Sequence, residues 1–270
     1  MVTAQHNGHG HVPHAFEAAL ASLPAPAPED FALSILRHVG VPESRYDIWV
    51  SLETAAGPLW VAHSRTAVTG ALLEGAAGGA EEFEAGHWRR TRRTVVRGLT
   101  PLRGVRTALR TGRARRLPVD LTGLSPTEQA VLTAVREIPN GQMRPLSWVV
   151  REASATDAGT ALAAIRHNPV QVLVPSHRVT YDDGTPCDLG LPEGSGSVLR
   201  TAEGMDLARL DELTARGAFF LGSDTTRIYC HPTCAHARRI TPPHRHPFRT
   251  AQEAHRAGYR ACRVCRPLTV

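Results

Sequence analysis

The chain has 270 residues, 42% of them hydrophobic, with 31 basic and 25 acidic residues for a formal charge of +6. That is enough apolar material for one sizeable core and a smaller module, and no apolar run is long enough to cross a bilayer. Met1 to His14 has neither an apolar signal core nor a twin-arginine pattern, so a cytoplasmic protein is expected, associated with the nucleoid if bacterial.

The sequence contains no lysine. Codon bias would suffice to explain that, but guanidinium forks also match phosphate oxygens. Residues 218–270 hold nine arginines against Asp224 and Glu253, and the rest of the chain is nearly neutral. A polyanionic partner is therefore expected at the C-terminal end. The five cysteines are Cys187, Cys230, Cys234, Cys262 and Cys265. An odd count without a signal peptide argues against a disulfide framework.

The first 45 residues read as a tail and one helix. His6, His9, His11 and His14 punctuate the tail, and Phe31 to Val39 has helical apolar spacing. Tyr46 to His63 reads as two strands around an Ala55-Ala56-Gly57-Pro58 turn. Gly70 to Glu84 and Trp88 to Arg110 are predicted as helices. Arg103, Arg106, Arg110 and Arg113 recur at near-helical spacing, as a phosphate-facing stripe or a solvated face. Ser125-Pro126-Thr127-Glu128 is a strong helix start that leads to a stop at Pro139-Asn140-Gly141. A short helix near Leu146 to Glu152 follows, then a helix from Ala158 to His167 capped by Asp157. Val170 to Val174 is predicted as a buried strand. This outline is that of a winged helix-turn-helix, and the small residues Gly159, Ala161, Ala163 and Ala164 would let its last helix approach a groove closely. Met205 to Arg216 is predicted as a linking helix.

Pro175-Ser176-His177-Arg178-Val179, Asn168-Pro169, the Ile138-Pro139-x-Gly141 turn and the two-strand opening resemble the alkylguanine-DNA alkyltransferase family over roughly Tyr46 to Gly204. The resemblance implies an RNase H-like subdomain and a winged-helix subdomain that flips a damaged base and transfers its alkyl group to cysteine. Here Ser176 takes the nucleophile's position, Leu146 that of a base-rotating tyrosine, and Gly159 that of an arginine that fills the gap left by the flipped base. A serine hydroxyl is a far weaker nucleophile than an activated thiolate. The resemblance therefore implies a domain that has lost alkylguanine repair, retained as a DNA-binding scaffold or a damage sensor. His177, Arg178 and Asn168 are then packing and hydrogen-bonding residues, and Cys187 is an inert thiol.

Cys230-x3-Cys234 and Cys262-x2-Cys265 are separated by 27 residues. Two cysteine pairs on tight turns can close a tetrahedron around Zn2+. The surrounding words, from Thr225-Thr226-Arg227-Ile228-Tyr229-Cys230-His231-Pro232-Thr233-Cys234 to Ala257-Gly258-Tyr259-Arg260-Ala261-Cys262-Arg263-Val264-Cys265-Arg266-Pro267, are similar to the methyl-phosphotriester repair domain of Ada. The resemblance assigns methyl acceptance to Cys230 and DNA contact to Arg260. Arg238, Arg239, Arg263 and Arg266 are further candidate DNA contacts, although Ala237 stands where the family has an arginine.

The expected fold class is α+β. After the tail and helix (1–45) come an RNase H-like subdomain (46–120), a winged-helix alkyltransferase-like domain (121–205), a linking helix (206–217) and a four-cysteine zinc module (218–270). The expected partner is double-stranded, alkylated DNA, bound by a monomer with no membrane and no small-molecule cofactor. The expected function is single-turnover transfer of a methyl group from DNA methyl phosphotriesters to zinc-bound Cys230. The alternatives are a noncatalytic sensor of alkylated DNA and a methylation-responsive transcription regulator.

Overall fold

A computed structural model describes residues 27–268. The histidines at 6, 9, 11 and 14 lie outside them. Helix α1 (Phe31–His38) turns one side inward through Leu33. Strands β1 (Tyr46–Thr54) and β2 (Gly57–His63) form the expected hairpin, in register from Thr54 opposite Gly57 to Ile48 opposite His63.

The predicted helix over 70–84 is corrected. Its first part belongs to strand β3 (Val68–Leu73), which pairs antiparallel with β2. Both faces of this strand are covered, so its residues show no apolar–polar alternation. Two helices follow, α2 (Glu74–Ala77) and α3 (Ala80–Thr91), separated by Gly78 and Gly79 at φ 69° and 108°. The predicted helix over 88–110 is also broken. Arg92 takes φ 57°, strand β4 (Thr94–Arg97) pairs parallel with β1, and only α4 (Val105–Thr111) is helical beyond it. Of the four arginines in the predicted stripe, Arg106 and Arg110 lie on α4, while Arg103 and Arg113 flank it.

A long-range contact supplies the reason. Asp47 on β1 is fully buried and accepts from Arg93 Nε (2.8 Å), His87 Nε2 (2.9 Å) and Thr69 Oγ1 (2.9 Å). Burial by itself would raise this carboxyl, but the hydrogen bonds from His87, Arg93 and Thr69 outweigh it and hold Asp47 at about 2. Anchoring Arg93 at β1 places the residues after it along the sheet edge. The sheet order is β3-β2-β1-β4.

Helix α5 (Pro126–Arg136) begins with the expected capping box. The Glu128 amide donates to Ser125 Oγ (3.3 Å), and the Ser125 amide donates to Glu128 Oε2 (2.9 Å). Helices α6 (Leu146–Ala153) and α7 (Ala158–Arg166) follow, and Asp157 caps α7 by accepting from the Thr160 amide at 2.8 Å. Short strands β5 (Arg144–Pro145) and β6 (Val179–Thr180) pair in parallel. Val50, Leu59 and Val61 of the sheet share one core with Val131, Leu132, Val149 and Ile165 of these helices. The two segments expected as separate subdomains thus bury one continuous apolar cluster.

Val170 to Val174 is not a strand. Gln171 donates its amide to Ala71 O on the edge of β3 (2.6 Å), and the chain then doubles back, with the Val174 amide on Val170 O (2.8 Å). Val172 adopts φ 67°, which an extended strand excludes. The apolar run was real, since Val170, Leu173 and Val174 are buried. A short apolar run cannot tell a buried strand from a buried turn.

Helices α8 (Ser195–Ala202) and α9 (Leu207–Ala215) lead into the last module. There β7 (Phe220–Ser223), β8 (Ile228–Cys230), β9 (Arg245–Phe248) and β10 (Arg260–Ala261) form a second sheet of order β10-β8-β7-β9, with α10 (Ala251–Arg256) between its last two strands in the chain. A Cβ on Gly222 would lie 2.6 Å from the Phe248 ring and 2.7 Å from the Tyr259 ring, so the two rings close over a bare backbone. No helix among the described residues is long and apolar enough to cross a membrane.

Candidate metal centre and nucleic-acid interface

Strand pairing brings the two cysteine pairs together. In the parallel pair of β8 and β10, Tyr229 stands opposite Ala261. Cys230 and Cys262, each one residue further on, therefore leave the sheet side by side. Each pair then closes on a tight turn. The Cys234 amide donates to His231 O (3.0 Å), and the Arg266 amide donates to Cys262 O (2.9 Å). The four Sγ atoms lie within 4.8 Å of one another, and all four residues are buried. Metal–sulfur bonds of about 2.3 Å in a tetrahedron need sulfurs about 3.8 Å apart, which a cluster this tight allows, so the donor set fits Zn2+. Leu213 of α9 and Leu221 of β7 pack against the cluster.

The thiols differ from one another. Hydrogen bonds from Cys230 and Cys265, helped by the amides of His236 and Ala237, pull Cys234 down. Cys230 is pushed up, first by its hydrogen bond to Cys234. Zinc, when bound, keeps all four sulfurs as thiolates at neutral pH. His231 is buried and pushed down to about 3, first by burial and then by the charge of Arg144, so it is neutral.

Cys230 is the one member of the four that lines an open cavity of about 350 Å³. Its other walls include Thr225, Thr226, His236, Arg239 and His244. His244 pairs with Asp224 at 2.9 Å. These threonines and histidines carry no periodic or spacing signal that would have singled them out as a cavity wall.

The five candidate arginines are all exposed, but they serve different ends. Arg239 lines the Cys230 cavity. Arg260 and Arg263 make no ion pair among the described residues and remain available to a polyanion. Arg238 leans toward Gly141, with Nη1 3.5 Å from where a Cβ would stand. Arg266 is engaged within the chain, 2.6 Å from Glu152 on α6 and stacked over Trp148.

The second site surrounds Ser176, on a single helical turn with His177 and Arg178. Ser176 is 1% exposed, and its hydroxyl has no hydrogen-bond partner. His177 Nε2 meets Glu203 Oε1 at 2.9 Å, Arg178 Nη2 donates to the same oxygen at 2.6 Å, and the Gly141 amide donates to Oε2 at 2.9 Å. Burial by itself would raise Glu203, but the bonds from His177 and Arg178 hold it at about 2. His177 is pushed down by burial, so it donates to Glu203 as a neutral ring. Glu203 was not legible in the sequence, because it follows α8 and only tertiary folding returns it to residues 177–178. Asn168 bonds Val174 O (2.9 Å) and the Val170 amide (3.0 Å), which stitches the preceding loop. Leu146 is buried at the start of α6, and Gly159 is exposed on α7. Cys187 is fully buried and pushed up by burial, as an inert thiol should be.

Comparison with known proteins follows the same division. Residues 126–200 match the family described as the DNA-binding domain of 6-O-methylguanine DNA methyltransferase, and residues 208–267 match the metal-binding domain of Ada. The second match begins within α9. A protein of Thermus thermophilus described as a DNA base-flipping protein is 38% identical over 68 residues, which is 25% of this chain and 46% of that protein. Among solved structures, the OGT of Mycobacterium tuberculosis in complex with DNA aligns with a TM-score of 0.47 and 22% identity, over 62% of this chain and 98% of that one. The O6-methylguanine-DNA methyltransferase of Pyrococcus kodakaraensis aligns with a TM-score of 0.47 and 17% identity, over 59% and 99%.

Proposed function

We propose that this chain, which joins the DNA-binding domain of an alkylguanine-DNA methyltransferase to the metal-binding domain of Ada, takes a methyl group from methyl phosphotriesters in DNA onto Cys230. The observation that carries the reading is that Cys230 lines an open cavity that none of the other three clustered cysteines enters, with Arg239 in its wall. Sγ of Cys230, as thiolate, attacks the methyl carbon. The S–C bond forms as the O–C bond breaks, and the phosphodiester leaves with the bonding electron pair. No proton moves, so no general base is required, and neutral His231 needs no role. Positioning supplies the rest.

The product is S-methylcysteine. Nothing in this chemistry regenerates the thiolate, so each protein acts once. The site loses one negative charge on reaction, while the repaired phosphate regains one opposite the arginines. DNA binding should therefore tighten after transfer. The alkyltransferase-like domain serves DNA binding. Serine at position 176 withholds the nucleophile, and glycine at 159 leaves the exposed face of α7 without an intercalating side chain.

The test is intact-protein mass spectrometry with peptide mapping after incubation of zinc-loaded protein with DNA bearing methyl phosphotriesters. A single added methyl on Cys230, absent from Cys230→Ser, supports the reading. Unmodified protein that still holds zinc overturns it.

A further inference from the structure

A buried cation of the alkyltransferase-like domain follows Met143, whose backbone is hydrogen-bonded to Thr233, the residue before Cys234 in the zinc module. Arg144 of β5 is 2% exposed. Its Nη1 donates to Met143 O (2.7 Å) and its Nη2 to Gln142 Oε1 (2.6 Å), while its Nε has no partner. No carboxylate among the described residues pairs with it. A guanidinium withdrawn from water without a counter-ion is strongly unfavourable. The opposing charge lies across the domain boundary. Burial pushes Arg144 down, and all four cysteines, Cys265 foremost, act against that to hold its proton.

The contacts around it tie both cysteine pairs to the same place. Thr233, just before Cys234, accepts from the Met143 amide at 2.8 Å and donates to Met143 O at 3.1 Å. Arg266, just after Cys265, pairs with Glu152 at 2.6 Å, and its carbonyl accepts from Arg151 at 2.6 Å. The guanidinium carbons of Arg144 and Arg266 lie 5.9 and 5.7 Å from the centroid of the Trp148 ring.

We propose that Arg144 is the built-in counter-charge of the metal–tetrathiolate centre, so that the alkyltransferase-like domain completes the zinc module's site and bound metal holds the two domains together. A dication with four thiolates carries a net charge of about −2, and a fixed guanidinium in a low-dielectric setting offsets part of it. The N–H groups of Arg144 that find partners bond within residues 142–143, so its contribution to the cysteines is charge rather than a hydrogen bond. Because linkage is reciprocal, metal binding must strengthen the docking of β5 by as much as the docking strengthens metal binding.

The experiment measures zinc affinity of the full chain by competition with a chromophoric chelator, for wild type, Arg144→Met and Arg144→Lys, with folding checked by circular dichroism. Arg144→Met should bind zinc roughly 10–100-fold more weakly, the range found when a group that supports metal ligands is removed. Arg144→Lys, which keeps the charge, should recover most of that loss. A folded Arg144→Met with wild-type affinity overturns the proposal, and so does Arg144→Lys as weak as Arg144→Met. Should Arg144→Met fail to fold, hydrogen exchange on the wild-type chain decides. Chelating the metal should deprotect the Met143 amide while Val131 and Leu132 stay protected, and unchanged protection at Met143 overturns the proposal.

Discussion

Replacing Glu203 by glutamine removes one charge and leaves the side chain's shape almost unchanged. In the folded chain this carboxylate accepts from Arg178 through Nε (3.0 Å) and Nη2 (2.6 Å), from His177 (2.9 Å) and from the Gly141 amide (2.9 Å). Its carboxyl is held at about 2 against an ordinary 4.5. At about 1.4 kcal/mol for each tenfold change in proton affinity, that gap corresponds to about 3 kcal/mol of stability. Breaking a buried ion pair from one side costs about 3–5 kcal/mol, which agrees. Because the folded value is depressed, the contribution is complete above pH 4.5 and is lost as pH falls toward 2. Urea unfolding of wild type and Glu203→Gln, with zinc held constant, should therefore show a gap of about 3 kcal/mol at pH 7 that narrows steadily below pH 4.5. A gap under about 1 kcal/mol at pH 7 would refute the argument, because a surface pair is worth no more than that. So would a gap that stays constant on acidification.

Arg239→Ala should weaken binding to duplex DNA similarly across sequences and reduce the salt slope by about one, as loss of one phosphate contact does; an unchanged slope in a salt titration would place Arg239 away from the backbone. Stripping the metal with a chelator should lower the melting temperature of the residues 218–268 reported by hydrogen exchange, while protection of Val131, Leu132 and Val149 in the shared core persists. Equal loss in both regions would mean that the metal supports the whole chain. Gly222→Ala should destabilise the zinc module by about 1–3 kcal/mol, because its Cβ would meet the Phe248 and Tyr259 rings. A neutral result in denaturant unfolding would show that the rings can retreat.

Local signals were reliable wherever a residue's chemistry acts on its own neighbours. Ser125, Pro126 and Glu128 placed the start of α5 because a capping box closes within four residues. Asp157 placed the start of α7 for the same reason. The cysteine spacing placed the metal centre, because two turn-borne pairs have few ways to arrange four sulfurs. Periodicity failed at residues 70–84 and 88–110, where strand β3 is covered on both faces and Asp47 captures Arg93 from 46 residues away. It failed again at Val170–Val174, where burial was right and conformation wrong.

The amino-acid sequence by itself determined the ligand set, the serine at position 176, the arginine-rich character of the C-terminal end and the starts of α5, α6 and α7. These depend on residue identity and on contacts a few positions apart. Tertiary structure alone decided that Cys230 faces a cavity, that Arg239 lines it while Arg266 is held by Glu152, and that Glu203 and Arg144 are buried charges at their respective sites. Whether a charge meets solvent, a carboxylate or a cluster of thiols depends on which distant segments pack against it, and no local pattern encodes that.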